Sequence, residues 1–145
     1  VNIYAIYANH KVAELLADTP AVSAIHNANP ARGMCESVRL GVQASDADFY
    51  LFFACDQPLA DARLINDIVA QGRRGAIVVP YHGGQPGNPA LFCSSFREEL
   101  LSLPDRKSPK HIKQAHPGAV IKLPVDEPRK LADIDTLAAL HKLEK

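Results

Sequence analysis

The sequence predicts an α/β protein, a three-layer sandwich built on a mostly parallel sheet, and three observations carry that expectation. Short apolar runs alternate with amphipathic stretches along the whole chain. Two of the runs, 49–55 and 76–80, are continuously apolar, as strands covered on both faces are. At 145 residues, with 47% hydrophobic and 22% charged residues, the chain is long enough for one sizeable core and ordinary for a globular protein.

The elements follow in order. Residues 1–8 are rich in β-branched and aromatic side chains and read as a strand. Asn9 can cap a helix over 10–17, where Val12, Leu15 and Leu16 recur at helical spacing. A short strand over 22–26 and a loop over 27–33 come next, then an amphipathic helix over 34–44 with Met34, Val38 and Val42 on one face. The run 49–55 is a strand that Pro58 closes off. Residues 61–71 form a helix with Asp61 near its start, Leu64, Ile65, Ile68 and Val69 as its stripe, and Gly72 at its end. After the strand 76–80, three glycines and a proline fill 81–88, and 89–92 returns as a short strand. A helix runs from Ser94 or Ser95 to Leu103, a charged loop over 104–110, a short helix over 110–116 and a strand over 119–125. Asp133-Ile134-Asp135-Thr136 precedes a final helix over 137–143. With no repeat, low-complexity tract or linker, residues 1–145 are expected to form one domain.

Composition narrows the function. Formal net charge is zero, which gives no electrostatic case for nucleic acid or an acidic membrane surface. No apolar run is long enough to span a bilayer, and the first residues lack a secretory pattern. Cys35, Cys55 and Cys93 are odd in number and widely spaced, which disfavours a disulfide framework and a thiolate zinc site and suits a reducing cytoplasm. Cys55, ending an apolar strand, reads as an inert core residue. The six histidines show no metal-binding spacing, and no nucleophile elbow is present.

Three constellations carry chemistry. Asp56 sits at the carboxyl end of the strand 49–55, where open α/β sheets bind ligands. It equally reads as a turn former or helix cap. If Asp133 and Asp135 share its sheet edge, two carboxylates converge, a pattern suited to Mg2+ with phosphates and waters; otherwise Asp135 or Thr136 only caps the final helix. The segment His82-Gly83-Gly84-Gln85-Pro86-Gly87-Asn88-Pro89 can bring backbone close to a ligand, or can be a hairpin turn. It is neither a P-loop nor a dinucleotide fingerprint. Asn88 can both donate to and accept from a base, ribose or substrate. Finally, the loop-to-helix junction at Arg32, Gly33 and Ser37 can offer amides and a dipole to an anion, or can be an ordinary junction between loop and helix. The basic loop 106–111 is a further, weaker candidate for phosphate.

The order and spacing of these pieces, from Asn29 to Gly41, through Cys55-Asp56-Gln57-Pro58-Leu59 and the stretch Ile77 to Phe92 with its G-N-P, to Asp133-Ile134-Asp135-Thr136, resemble the MobA/MocA-like nucleotidyltransferases. The match takes in essentially the whole chain. The resemblance implies a Rossmann-like three-layer α/β/α sandwich of the nucleotide-diphospho-sugar transferase type. It implies transfer of CMP or GMP from CTP or GTP to the phosphate of a molybdopterin-type cofactor, with Mg2+ and release of pyrophosphate. It assigns Asp56 as the metal aspartate and Asp135, less readily Asp133, as a second acid. Gly87, Asn88 and Pro89 become a loop facing acceptor or nucleotide, and Gly33 and Ser37 lie on a helix that contacts nucleotide. The C-D-Q-P-L form favours the cytidylyl branch.

The sequence also departs from the family. The opening strand and glycine-rich loop, L-A-A-G-x-S-x-R-M-G, have no counterpart, so the chain reads as an N-terminally truncated domain short of roughly fifty residues, about one βα unit more. The family's D-x-G-A-R segment is Asp105-Arg106-Lys107-Ser108-Pro109-Lys110, and its T-P-E-D is Thr136-Leu137-Ala138-Ala139. Alone, the chain is expected to gain little stability from Mg-CTP or Mg-GTP. Two other readings stand beside the enzyme: a non-catalytic, chaperone-like module that delivers cofactor to a molybdoenzyme, and a nucleotidyltransferase acting on a sugar phosphate.

Overall fold

A computed structural model of the protein describes residues 1–136 and 141. The chain separates into two compact units, each drawn from two stretches of sequence: Val1–Asp48 with Ser95–Pro117, and Phe49–Ser94 with Gly118–Lys145. Of the helix expected over 137–143, all but residue 141 lies outside the described residues.

In the first unit β1 (Ile3–Tyr7) pairs in parallel with β2 (Val22–His26), from Ile3 opposite Val22 to Tyr7 opposite His26. The crossover that parallel pairing requires is α1 (His10–Leu16), whose first turn is capped by Asn9: the side chain accepts from the Lys11 amide at 3.0 Å. Helix α2 (Met34–Gln43) buries Cys35, Val38 and Val42. Met34 was expected on that stripe, but it is exposed; the buried face starts one residue later, at the i, i+3, i+7 spacing of a helix face. Helices α4 (Arg97–Leu101) and α5 (Lys110–Ala115) follow, with Leu100 and Ile112 buried.

The second unit is a five-stranded sheet. Strand β3 (Phe49–Phe52) pairs antiparallel with β6 (Ala90–Cys93), and β6 pairs antiparallel with β4 (Ile77–His82). The end of β4 turns back through Gly83 and Gly84, both at positive φ, into β5 (Gln85–Pro86). Only β7 (Val120–Pro124) runs parallel to β4, Ile77 opposite Val120. The mostly parallel sheet expected from the alternation is therefore corrected: three of the four pairings in this sheet are antiparallel. The physical reason lies in the connections. Two residues join β4 to β5, and a link that short can only reverse the chain; parallel pairing needs a crossover of about a dozen residues or more.

The run 49–55 is also shorter than expected. Strand β3 stops at Phe52, Tyr50 is its one buried residue, and Phe53 is 43% exposed. It ends the strand order, so one of its edges is unpaired within the sheet. Cys55 follows the strand in a turn and is exposed, which corrects its assignment to the core.

Helix α3 (Ala62–Ala70) packs Leu64 and Ile68 onto Val78 and Leu91, with Phe49, Leu51, Ile121, Leu123 and Leu131 around them. Val69, expected on the same stripe, is 52% exposed. Asp61 caps α3, accepting from the Leu64 amide at 2.9 Å. It also pairs with Lys130 at 3.1 Å, and Lys130 reaches Glu127 at 3.1 Å. No helix among the described residues is long and apolar enough to cross a membrane.

That clasp gives a pH prediction. The Leu64 amide, then Lys130, holds the Asp61 carboxyl below the ordinary carboxylate range; Lys130 and then Arg129 do the same for Glu127. A carboxylate with a depressed folded pKa contributes stability that is present above its unfolded pKa and lost as pH falls through the folded one. Melting temperature should therefore fall as pH drops below about 4. In Lys130→Met the decline should be shallower and less sensitive to salt.

Candidate functional site

The site builds from the end of β3. Residues after Phe52 leave the sheet in a turn, where the Gln57 amide bonds to the Ala54 carbonyl at 3.4 Å, and this turn carries Asp56 into solvent. The Asp56 carboxylate makes no hydrogen bond or ion pair among the described residues. Its main chain is held: the Ile134 amide donates to the Asp56 carbonyl at 2.8 Å. The two acidic segments expected to converge are thus joined directly, Asp56 beside Asp133-Ile134-Asp135.

The two later acids differ. Asp133 Oδ1 accepts from Gln57 Nε2 at 2.8 Å, so one of its oxygens is committed. Asp135 is exposed and, among the described residues, has no partner. Two exposed oxygen donors fit a hard divalent cation, which keeps waters and substrate phosphates as its other ligands. No group of three or more His, Cys, Asp and Glu side chains suited to a metal occurs among the described residues.

The glycine-rich segment has a structural part and an open part. Gly87 donates to the Pro80 carbonyl at 2.8 Å, and a Cβ on it would meet the Leu131 side chain at 2.9 Å. The close approach is therefore to Leu131, whose carbonyl lies at the other end of the Gln57 side-chain bonds. Pro89 is buried and joined to Asn88 by a cis peptide. Asn88 is exposed, with no side-chain hydrogen bond among the described residues, and can meet a ligand. Gly87→Ala should destabilise by about 1–3 kcal/mol through overpacking and shift the 131–135 segment, read as a lower urea midpoint and changed amide shifts at Asp133 and Ile134.

Gly33 and Ser37 belong to the first unit. Gly33 has φ +86, and a Cβ there would lie 3.1 Å from Arg106 Cα, so the position needs glycine to seat the 104–107 loop. The Arg106 amide donates to the Arg32 carbonyl at 2.7 Å. Ser37 Oγ accepts from buried Asn27 at 3.1 Å. Arg32, a candidate anion binder, is already paired with Asp105 at 2.8 Å and Glu36 at 2.9 Å; Asp105, the largest influence, raises its pKa further. Arg39 also bonds Glu36. Sequence spacing signals the Arg32–Glu36 and Glu36–Arg39 pairs, one helical turn apart. It gives no signal for Asn27 as the partner of Ser37, or for Gln57.

The family model of the MobA-like NTP transferase domain matches residues 1–139. No curated protein shows significant sequence similarity to the chain. Solved structures do resemble it. A nucleotidyl transferase from Methanothermobacter thermautotroptrophicus superposes with TM-score 0.78 at 16% identity, covering 97% of this chain and 70% of its own. Rv0371c of Mycobacterium tuberculosis H37Rv, in complex with manganese, gives 0.74 at 20% identity, covering 97% and 75%. Molybdopterin-guanine dinucleotide biosynthesis protein A from Archaeoglobus fulgidus gives 0.70 at 18% identity, covering 97% and 76%. At these identities the likeness is one of fold. The family model spans nearly the full length, and with it the chain belongs to the MobA-like NTP transferase domain family, whose chemistry is nucleotidyl transfer.

Proposed function

We propose that the protein transfers CMP or GMP from CTP or GTP to the terminal phosphate of a molybdopterin-type cofactor, with Mg2+. The observation that carries this reading is the exposed Asp56, whose carboxylate has no partner among the described residues and whose main-chain carbonyl accepts from the Ile134 amide of the segment bearing Asp135. An acceptor phosphate oxygen attacks the α-phosphorus, the bond from that phosphorus to the bridging oxygen breaks, and pyrophosphate leaves. A divalent cation held by Asp56 and Asp135 supplies neutralisation of the phosphate charge. The protein itself makes no covalent bond to substrate; its part is positioning. Asp56 and Asp135 present carboxylate oxygens, and Asn88 offers a donor and an acceptor to base, ribose or pterin. Gly33, at the start of α2, and Ser37, through its hydroxyl, are the proposed nucleotide contacts of the first unit.

The likeness to the Archaeoglobus protein supports a pterin acceptor, and the Cys55-Asp56-Gln57-Pro58-Leu59 form supports CTP over GTP. The product would then pass to a molybdoenzyme. Incubation of the protein, together with any natural N-terminal extension, with molybdopterin cofactor, Mg2+ and each nucleotide, read by mass spectrometry, tests the proposal. A cytidine dinucleotide of the pterin is the expected product, and a guanine dinucleotide would correct only the base. Pterin binding without any dinucleotide would overturn the transferase reading in favour of a carrier.

A further inference from the structure

Gln57 lies next to Asp56, yet it is only 1% exposed and is among the largest fully buried side chains of the chain. Its Nε2 donates to Asp133 Oδ1 at 2.8 Å and reaches the Leu131 carbonyl at 3.4 Å. Its Oε1 is buried and has no hydrogen-bond partner among the described residues. The orientation of the amide is fixed by its neighbours. Two oxygens face Nε2, and a flipped amide would set its own oxygen against the Asp133 carboxylate. A buried acceptor without a partner is destabilising, and an aliphatic side chain of similar size would avoid that. What the glutamine supplies in return is a short, charge-assisted bond to the segment that ends in Asp135. Together with the bond from the Ile134 amide to the Asp56 carbonyl, it ties that segment down twice, once by main chain and once by side chain.

We propose that Gln57 is a positioning residue for nucleotidyl transfer: it clamps the 131–135 segment against the Asp56 turn and so sets the spacing of the Asp56 and Asp135 carboxylates. The inference rests on the reading of those two acids as the metal pair. The clamp itself is a separate structural statement and is tested separately. Because Gln57 Nε2 occupies one oxygen of Asp133, the same clamp makes Asp135 the carboxylate left open for a cation.

The test uses Gln57→Glu, the inverted pair Gln57→Glu with Asp133→Asn, and Asp56→Asn, each checked for an intact fold by circular dichroism. Two readouts are taken: hydrogen exchange at the Ile134 amide, and Mn2+ affinity by electron paramagnetic resonance with CTP present. Gln57→Glu sets two carboxylates against each other. It should speed Ile134 exchange and weaken Mn2+ binding by about tenfold or more, as loss of a group supporting a metal ligand does. The inverted pair restores a donor facing an acceptor, so it should fold and recover most of both losses. Unchanged exchange and affinity in Gln57→Glu would overturn the inference, as would an inverted pair that folds without recovery or does not fold. Wild-type Mn2+ affinity in Asp56→Asn, with Ile134 still freed by Gln57→Glu, would sink the metal reading and leave the clamp as a purely structural tie.

Discussion

Asp56→Asn should abolish most nucleotidyl transfer, lowering kcat/KM by on the order of 10²–10³-fold, as removal of a charge-stabilising group in a transition state does. The substitution keeps size and shape and removes one negative charge. Because the side chain is exposed and bonds to nothing among the described residues, its loss should leave melting temperature within the range of an ordinary surface change. The main-chain bond from Ile134 does not involve the side chain, so the 131–135 segment should stay in place. Loss of activity with an unchanged fold distinguishes a metal ligand from a turn former, the other reading of Asp56. As a turn former it would lower stability and spare the chemistry. Asp135→Asn should reduce activity less, since a cation held by phosphates and waters can lose one protein ligand and still bind. Steady-state pyrophosphate release over a range of Mg2+ concentrations checks both variants, and the Mg2+ requirement should rise in each.

Phe92→Ala should give the largest loss of stability, about 3–5 kcal/mol, from burial lost plus the cavity left behind. Phe92 is fully buried in β6, the strand that bridges β3 and β4, and meets Phe52 edge-on at 5.6 Å. A domain of ordinary stability has about 5–15 kcal/mol in total, so this variant loses a large share of it. The loss reaches the site, since β3 leads into the Asp56 turn and β6 is the neighbour that fixes β3. Urea unfolding should show a lower midpoint, and any activity left at low temperature should vanish well below the wild-type melting point.

Much of this was legible in the sequence because the relevant signals are local. Asn9 and Asp61 stand where helices start, and both cap them through side-chain oxygens. The run at 76–80 is apolar throughout, and its strand is buried from Ile77 to Pro80. What could not be read is set by pairing at a distance. Periodicity gives the strand over 89–92 no direction: the chain turns back after His82, and β5 and β6 each run antiparallel to β4. The burial expected on both faces of 49–55 is not met, because β3 stops at Phe52 and the residues after it leave the sheet, Phe53 and Cys55 being exposed. At the site, Asp56 and Asp135 stood out as acids at element ends. Gln57 did not, because a glutamine between an aspartate and a proline carries no periodicity or spacing that marks it as buried. The role of Gly87 was also invisible, since it answers to Leu131, more than forty residues away in sequence.

The most direct measurement is anomalous diffraction from crystals soaked in Mn2+ with CTP or GTP. A manganese peak is expected about 2.0–2.3 Å from an Asp56 carboxylate oxygen, near the distance for a small octahedral cation, with Asp135 beside it or one water away. A peak at another cluster, with Asp56 turned away from it, would rule out Asp56 as the metal ligand.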